Sequence, residues 1–478
     1  MLFSSPVYLI FLALVASVYW LLPQRFRVPF LLLASYLFYM SWSPPHGLIY
    51  APLIFVDSLY FYGISRAMVR WPQFKKQLLI FGVTTELALL AYFKYANFFA
   101  QTGEQILRFL HLPATHHHFD IFLPLAISFT NFVLISYLVD VYRGKEKPDR
   151  SFIRFATYVA FFPHLIAGPI VRASELLRQF DQNPRFEMSL LVQGLHRFCT
   201  GFFLKVFVAD IIAVYVDFIF GHPELQAFNT SWIAVYSFSI QLFCDFFGYT
   251  LMAQGSALIL GYSLPENFNA PYFAKNMSEF WQRWHISLSR WLKDYLYIPL
   301  GGNRQGAFNT YRNLFITMGL GGLWHGASWN FVIWGLLNGV FLCVYKAGNH
   351  IGVNRFIPQV FAMLITFHCV CLTRVFFRSE TLPQAFSMLA VMFNPFRWQS
   401  IQAPVGSVEQ GHTLITSETA LLMVLLFLGA HGFIRFLKPR LTSFFWQEAG
   451  IAAAYGVFFY FLFTVGGSSS QQFIYFQF

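Results

Sequence analysis

Apolar residues run through this chain in long stretches separated by short polar loops, a pattern that predicts membrane-crossing helices rather than the faces of a soluble core. Candidate spans lie at about 6–22, 28–42, 48–64, 77–96, 121–141, 191–219, 230–260, 326–345, 356–377, 418–434 and 450–466. Several are short or long for one crossing of a hydrocarbon core of roughly 30 Å, so tilts, breaks and half-spans are expected. Phe152 to Val171 holds Pro163, His164, Gly168 and Pro169 and reads as interfacial or re-entrant. The segments 279–298 and 311–325 form an irregular centre, and Ser379 to Ser417 is the one long polar stretch. The expected class is an all-α polytopic membrane protein, about 11 spanning helices with interfacial and re-entrant segments, and residues 1–478 read as one integral membrane domain.

Composition agrees. Hydrophobic residues make up 57% and charged residues 11%, against about a quarter charged in soluble domains. The net charge of +11 therefore points to cytoplasmic loops, not to nucleic acid. Arg25 and Arg27, then Arg66 to Lys76, then Arg143 to Arg154, then Arg435 to Arg440 form four basic loops expected inside. Ser41 to Gly47 and Asn97 to Asp120 are poor in Lys and Arg and are expected outside. The N-terminus would then start outside, and the first span lacks the basic flank and cleavage signature of a signal peptide. Cys199, Cys244, Cys343, Cys369 and Cys371 show no zinc-site spacing and read as small packing residues. His116, His117 and His118 sit together on a loop without acidic or Cys company, so no metal site is assigned.

Two segments carry candidate chemistry. Gly319-Leu-Gly-Gly-Leu-Trp-His325-Gly-Ala-Ser-Trp329 places one histidine among glycines and tryptophans inside an apolar run of about 30 residues. That run is too long for one span, and the glycines imply a broken or bent pair of segments. Irregular backbone at membrane depth occurs where it is buried in protein or lines a cavity, and an ionisable group there marks a functional site. A core histidine beside a helix break is the alternative. In Phe280 to Tyr295, Trp281, His285, Leu288 and Leu292 recur at i, i+4, i+7 and i+11, which predicts one helix with His285 on its apolar face. An interfacial anchor with an incidental histidine is the alternative there. No GxSxG elbow of the serine-esterase kind is present.

The order FWQRWHISLSRWLKDYLYIPLGGNR followed by TYRNLFITMGLGGLWHGASWNFVIWG closely resembles the membrane-bound O-acyltransferase (MBOAT) superfamily, in its AlgI-like bacterial branch. Further matching pieces are YFKYANFF from Tyr92, ISYLVDVYRG from Ile135, FPHLIAGPIVR from Phe162, PENFNAPY from Pro265 and the ending FIYFQF. The resemblance implies the MBOAT fold around a central tunnel, with His325 of the WHG motif as catalytic residue and His285 as the second polar site. It implies an O-acetyltransferase of the bacterial inner membrane. Its donor would be cytoplasmic acetyl-CoA, used as substrate with no bound cofactor. Its partners would be membrane lipids, an SGNH or serine-hydrolase-like periplasmic acetyltransferase and an exported polysaccharide, alginate foremost, with peptidoglycan or cellulose as alternatives. A non-catalytic lipid or glycan transporter is the alternative from another class.

Two positions depart from the family pattern. Asn338 stands where many AlgI-like proteins carry a further histidine, and it cannot take up a proton at neutral pH. In Asp245-Phe-Phe-Gly-Tyr249-Thr-Leu251, Phe247 and Leu251 replace a serine and an aspartate, while Asp245 and Tyr249 remain. Trp324, Asn338, Asp245, Tyr249 and Arg283 are candidate substrate-binding residues. Trp324, Trp329 and Trp334 would wall the site. Arg283, Arg290 and Lys293 would attract the donor's anionic part or lipid headgroups. A neutral imidazole can accept a proton near pH 7, so His325 would deprotonate an acceptor hydroxyl attacking an acyl thioester, and His285 would orient His325 or polarise the thioester carbonyl.

Overall fold

A computed structural model describes residues 1–41, 44–115, 118–166, 168–182, 184–398 and 416–436. The 450–466 span, Lys438, Arg440, His116, His117, the FIYFQF ending and the middle of the 379–417 loop lie outside the described residues. Among the described residues every regular element is helical. The first half runs α1 Pro6–Leu21, α2 Gln24–Met40, α3 Pro44–Arg70, α4 Lys75–Leu90, a π-turn Ala91–Tyr95, α5 Ala96–Phe109 and α6 Ile127–Tyr142. Short helices α7 Phe152–Ala160, α8 Phe162–Leu165 and α9 Ala173–Leu176 follow. They are largely buried, so the 152–171 segment is an interior piece of the fold.

Then come α10 Met188–Phe203, a π-turn Leu204–Ala209, α11 Asp210–Gly221 and α12 Phe228–Ile259. α12 has 32 residues, about 48 Å at 1.5 Å each, more than one bilayer core. It is buried along most of its length, against α10 above all. The close approach depends on glycine. A Cβ on Gly194 or Gly201 would fall on the carbonyl oxygen of Gly255 or Gly248, the small-residue contact by which membrane helices gain van der Waals packing.

The centre and C-terminal part hold α13 Met277–Arg283, α14 Ile286–Leu292, α15 Gly306–His325, α16 Trp329–His350, α17 Gln359–Arg378, α18 Leu382–Met392 and α19 Ser417–Phe436. α18 gives regular structure to part of the expected polar loop. Among the described residues five helical stretches are long and apolar enough to cross a membrane, and shorter apolar helices include α1, α6 and α18. The protein is a multi-pass helical membrane protein.

The loops segregate by charge. Arg66 donates to the carbonyl of Asp149 at 3.3 Å, Tyr62 to that of Arg150 at 3.1 Å, and Lys75 lies 5.4 Å from the Tyr142 ring centroid. Basic loops distant in sequence thus meet at one end. At the other end Tyr39 donates to Leu125, Tyr50 to Phe122, and Asn97 exchanges two hydrogen bonds with Phe119.

Candidate active site

The predicted continuous helix through His285 is instead two short ones. α13 stops at Arg283 and α14 begins at Ile286, with His285 between them in the left-handed region at φ 43°, ψ 57°. A side chain with a Cβ adopts that conformation at a cost of roughly 1–2 kcal/mol, and such strain persists where surroundings enforce it. Here they are Asn267 and Ser287. The Asn267 carbonyl accepts from Ile286 N–H at 3.0 Å, and its Oδ1 accepts from the Ser287 N–H and hydroxyl at 3.1 and 2.9 Å. Ser287 Oγ accepts in turn from Ile170 N–H at 3.0 Å. The PENFNAPY and FPHLIAGPIVR segments therefore lock the break that turns His285 inward. The helical spacing that suggested a shared face does not survive it.

His325 ends α15. The chain leaves through Gly326 in an extended conformation, φ −161°, and α16 starts at Trp329. The predicted break is present, but Gly319, Gly321 and Gly322 lie inside α15 rather than at the joint. Their role is packing. A Cβ on Gly322 would land on the Phe331 carbonyl, and one on Gly335 on the Met318 carbonyl, so the two helices meet backbone to backbone. Gly326 is crowded too, because a Cβ there would strike the Phe331 ring.

The two breaks bring the histidines together. Their ring centroids are 6.5 Å apart at 55°, and both residues are buried. His325 contacts Trp334 at 4.9 Å, Trp324 at 5.0 Å and Phe377 at 5.5 Å. His285 has Phe246 edge-on at 4.7 Å and Trp324 at 6.2 Å, and neither of its ring nitrogens has a hydrogen-bond partner among the described residues. Two imidazoles in an aromatic box can hold and move a proton where water competes little.

A column of rings connects this box to the basic end. Trp324 stacks on Phe132 at 5.1 Å, Phe132 on Trp291 at 3.7 Å, and Trp291 meets Tyr295 at 5.3 Å. The column follows α6, from Ser128, whose carbonyl accepts from Trp324 Nε1, to Asp140, whose Oδ2 accepts from the Tyr295 hydroxyl at 2.6 Å. Those 12 residues of helix correspond to about 18 Å. At the basic end Arg143 and Arg172 lie over the Tyr295 ring, and Arg172 pairs with Asp294 at 2.8 Å. An adjoining cleft of about 540 Å³ is lined by charges of both signs, Lys145, Lys147, Arg150, Arg154 and Arg178 with Glu146, Asp149 and Asp181.

The remaining candidates are spread out. Trp324 and Trp334 wall the pair, whereas Trp329 is exposed and rests on Phe98. Asn338 is buried and donates back to the Trp334 carbonyl at 2.7 Å. Asp245 follows Cys244 and precedes Phe246 on α12 but faces the π-turn Leu204–Ala209, where Lys205 bridges Asp245 at 2.7 Å and Asp210, at the start of α11, at 2.6 Å. Tyr249 lies on that side, 5.9 Å from the Lys205 ammonium. Arg283 is bound to Glu279 at 2.6 Å and to the Asn269 carbonyl. Burial works to raise the Glu279 carboxyl, but the Lys275 N–H and the Arg283 guanidinium outweigh it and hold the carboxyl below its usual range. Arg290 and Lys293 are exposed.

Two charged residues near the pair escaped the sequence reading. Arg374 is buried with its guanidinium 4.5 Å from the Trp284 ring and 5.5 Å from that of Phe377. Lys94 reaches the end of α15, donating to the Trp324 carbonyl at 2.6 Å. Each is a cation placed within an apolar run, which is itself a functional signal in a membrane protein.

Comparison with known proteins agrees with this architecture. Residues 147–351 match the MBOAT, membrane-bound O-acyltransferase family. The chain is 41% identical over 444 residues to the "Probable alginate O-acetylase AlgI" of Pseudomonas putida, covering 92% of this chain and 89% of that one. It is 38% identical over 430 residues to the "Peptidoglycan O-acetyltransferase" of Helicobacter pylori, covering 82% and 80%. It is 32% identical over 285 residues to the "Teichoic acid D-alanyltransferase" of Bacillus subtilis, covering 55% and 71%. A multi-pass helical protein whose WHG histidine is buried beside a second histidine, and which matches an alginate O-acetylase over 92% of its length, belongs to the membrane-bound O-acyltransferase family and is an AlgI-like acyltransferase.

Proposed function

We propose that this enzyme takes acetyl groups from acetyl-CoA on the cytoplasmic side of the bacterial inner membrane and passes them outward for O-acetylation of an exported polysaccharide, alginate first. The observation that carries the reading is the His285–His325 pair, 6.5 Å between ring centroids, at the outer end of the Tyr295–Trp291–Phe132–Trp324 column. With the basic loops facing the cytoplasm, the column starts among Arg143 and Arg172 and ends at the histidines. A donor with anionic phosphates and a long acyl-bearing arm suits that charge order. The relatives named for alginate and peptidoglycan support an acetyl group and a glycan end-user.

In this reading a ring nitrogen of His325 takes the proton of the acceptor hydroxyl as its oxygen attacks the thioester carbonyl carbon. The C–S bond breaks, and the proton passes to the departing thiolate. His285, held by the strained turn, orients the thioester or polarises its carbonyl. The acceptor hydroxyl belongs to the serine of a periplasmic SGNH-type partner or directly to a sugar. The test is ester-linked acetate on the envelope glycans of a deletion strain complemented with wild-type or His325→Ala protein. Acetate on alginate that disappears with His325→Ala supports the reading. Loss confined to peptidoglycan or cellulose reassigns the acceptor. Wild-type acetate with His325→Ala at normal abundance removes the catalytic role.

A further inference from the structure

We infer that Lys94 is a positioning residue for His325. The ammonium of Lys94 donates to the carbonyl of Trp324 at 2.6 Å and to that of His325 itself at 3.3 Å, and it lies 3.4 Å from Ser128 Oγ. The adjacent Tyr95 hydroxyl donates to the Leu323 carbonyl at 2.9 Å. Three successive carbonyls, the last three of α15, are thereby held by two neighbouring side chains of another helix. The last carbonyls of a helix lack partners within it, and a left-handed glycine often closes such an end. Gly326 is extended instead, so α15 has no closing turn of that kind and takes its donors from Lys94 and Tyr95. A cation at a helix C-terminus also meets the negative end of the helix dipole, an interaction strengthened by low polarity.

Adjacent residues on a regular α-helix point about 100° apart, yet both of these reach α15. They belong to the π-turn Ala91–Tyr95, an irregularity that recurs at functional sites. Lys94 is the one charged residue between Glu86 and Glu104, and it binds the backbone of the residue whose ring forms half of the site. Removing it would let the end of α15 relax and turn the His325 ring away from His285. Misplacement of a reacting group by about 1 Å can cost on the order of a hundredfold in rate.

The inference rests on His325 being the base, and the experiment separates the two. Lys94→Met, Lys94→Gln, Lys94→Arg and His325→Ala are expressed in the deletion strain. Glycan-linked acetate per copy of membrane protein is measured beside the thermal unfolding midpoint of the detergent-solubilised full chain. Lys94→Met is expected to lower acetate about ten- to a hundredfold with abundance and midpoint near wild type, while Lys94→Arg, which can reach both carbonyls, recovers to within a few fold. If Lys94→Met does not accumulate, Lys94→Gln, which keeps a donor without the charge, is expected to show the same loss with recovery by Arg. Wild-type acetate in the Met or Gln variant overturns the inference. So does a loss that merely follows abundance or midpoint, with Arg no better than Met or Gln. Should His325→Ala retain acetate, the reading of His325 falls and this inference with it. Should His325→Ala be inactive while Lys94→Met is not, only the inference falls.

Discussion

Asn267 and Ser287 are joined twice through one atom, because Asn267 Oδ1 accepts both the backbone N–H and the hydroxyl of Ser287. This fork, two residues past the left-handed His285, is what keeps α13 and α14 from fusing into one helix. Asn267→Ala leaves two buried donors without their acceptor, a loss of about 1–3 kcal/mol for such groups. The expected outcome is a lower unfolding midpoint and at least a tenfold drop in glycan acetate per folded molecule, because His285 loses its fixed direction. Unchanged acetate in a folded Asn267→Ala protein would show that the turn is not what aims His285.

His285 itself allows backbone and side chain to be separated. His285→Ala and His285→Gly both remove the ring, but only glycine is at ease at φ 43°. The glycine variant should therefore be the more stable by about 1–2 kcal/mol, and both should be strongly impaired in acetate transfer. His285→Asn tolerates the left-handed region and keeps a hydrogen-bonding tip, so it should retain part of the activity if the role is orientation. Equal inactivity of folded Asn and Ala variants would make His285 a proton carrier.

Glycines in and beside the WHG segment should differ sharply in tolerance. Gly322→Ala and Gly335→Ala press a methyl group against backbone carbonyls of the facing helix, an overpacking that costs typically 1–3 kcal/mol or more. Both should cut the amount of folded protein in the membrane. Gly319→Ala meets only the far end of the Leu336 side chain, which can turn aside, so its abundance should be near wild type. Comparable abundance for all three on a quantitative blot would contradict the backbone contact.

Asp245 was a substrate-binding candidate in the sequence, and its surroundings give it a different expected behaviour. Removing one partner from a buried ion pair costs roughly 3–5 kcal/mol, although Asp210 still holds Lys205 here. Asp245→Asn should lower the unfolding midpoint and abundance while acetate per folded molecule stays within a few fold. A folded Asp245→Asn protein with wild-type stability and no transfer would return Asp245 to the substrate.

Much of this was legible from patterning, because long apolar runs leave a chain few options in a bilayer. The break beside His325 followed from a run too long for one crossing. The break at His285 was hidden, since Trp281, His285, Leu288 and Leu292 keep helical spacing across it and the residue that enforces it, Asn267, lies 18 positions upstream of His285. The glycines of the WHG segment signalled close backbone contact as readily as a break, and sequence alone does not separate the two. Lys94 and Arg374 required knowing which helices meet: YFKY touches the end of α15 only because α4 and α6 pack together.

The segregation of the loops yields the sharpest topological expectation. Arg66 to Lys76 and Arg143 to Arg154 gather at one end, while Asn97 and Phe119 pair at the other. Positive charge stays in the cytoplasm, so the first end should face inward and the 97–120 loop outward. In a protein stripped of Cys199, Cys244, Cys343, Cys369 and Cys371, Ala114→Cys should react with an impermeant thiol reagent in intact spheroplasts, and Gln73→Cys should react only after permeabilisation. The Tyr295 end of the ring column would then face inward and the His325 end outward. Reversed labelling would turn the enzyme over. The donor would then have to reach the histidines from the Lys94 side, and a cytoplasmic thioester could no longer enter among Arg143 and Arg172.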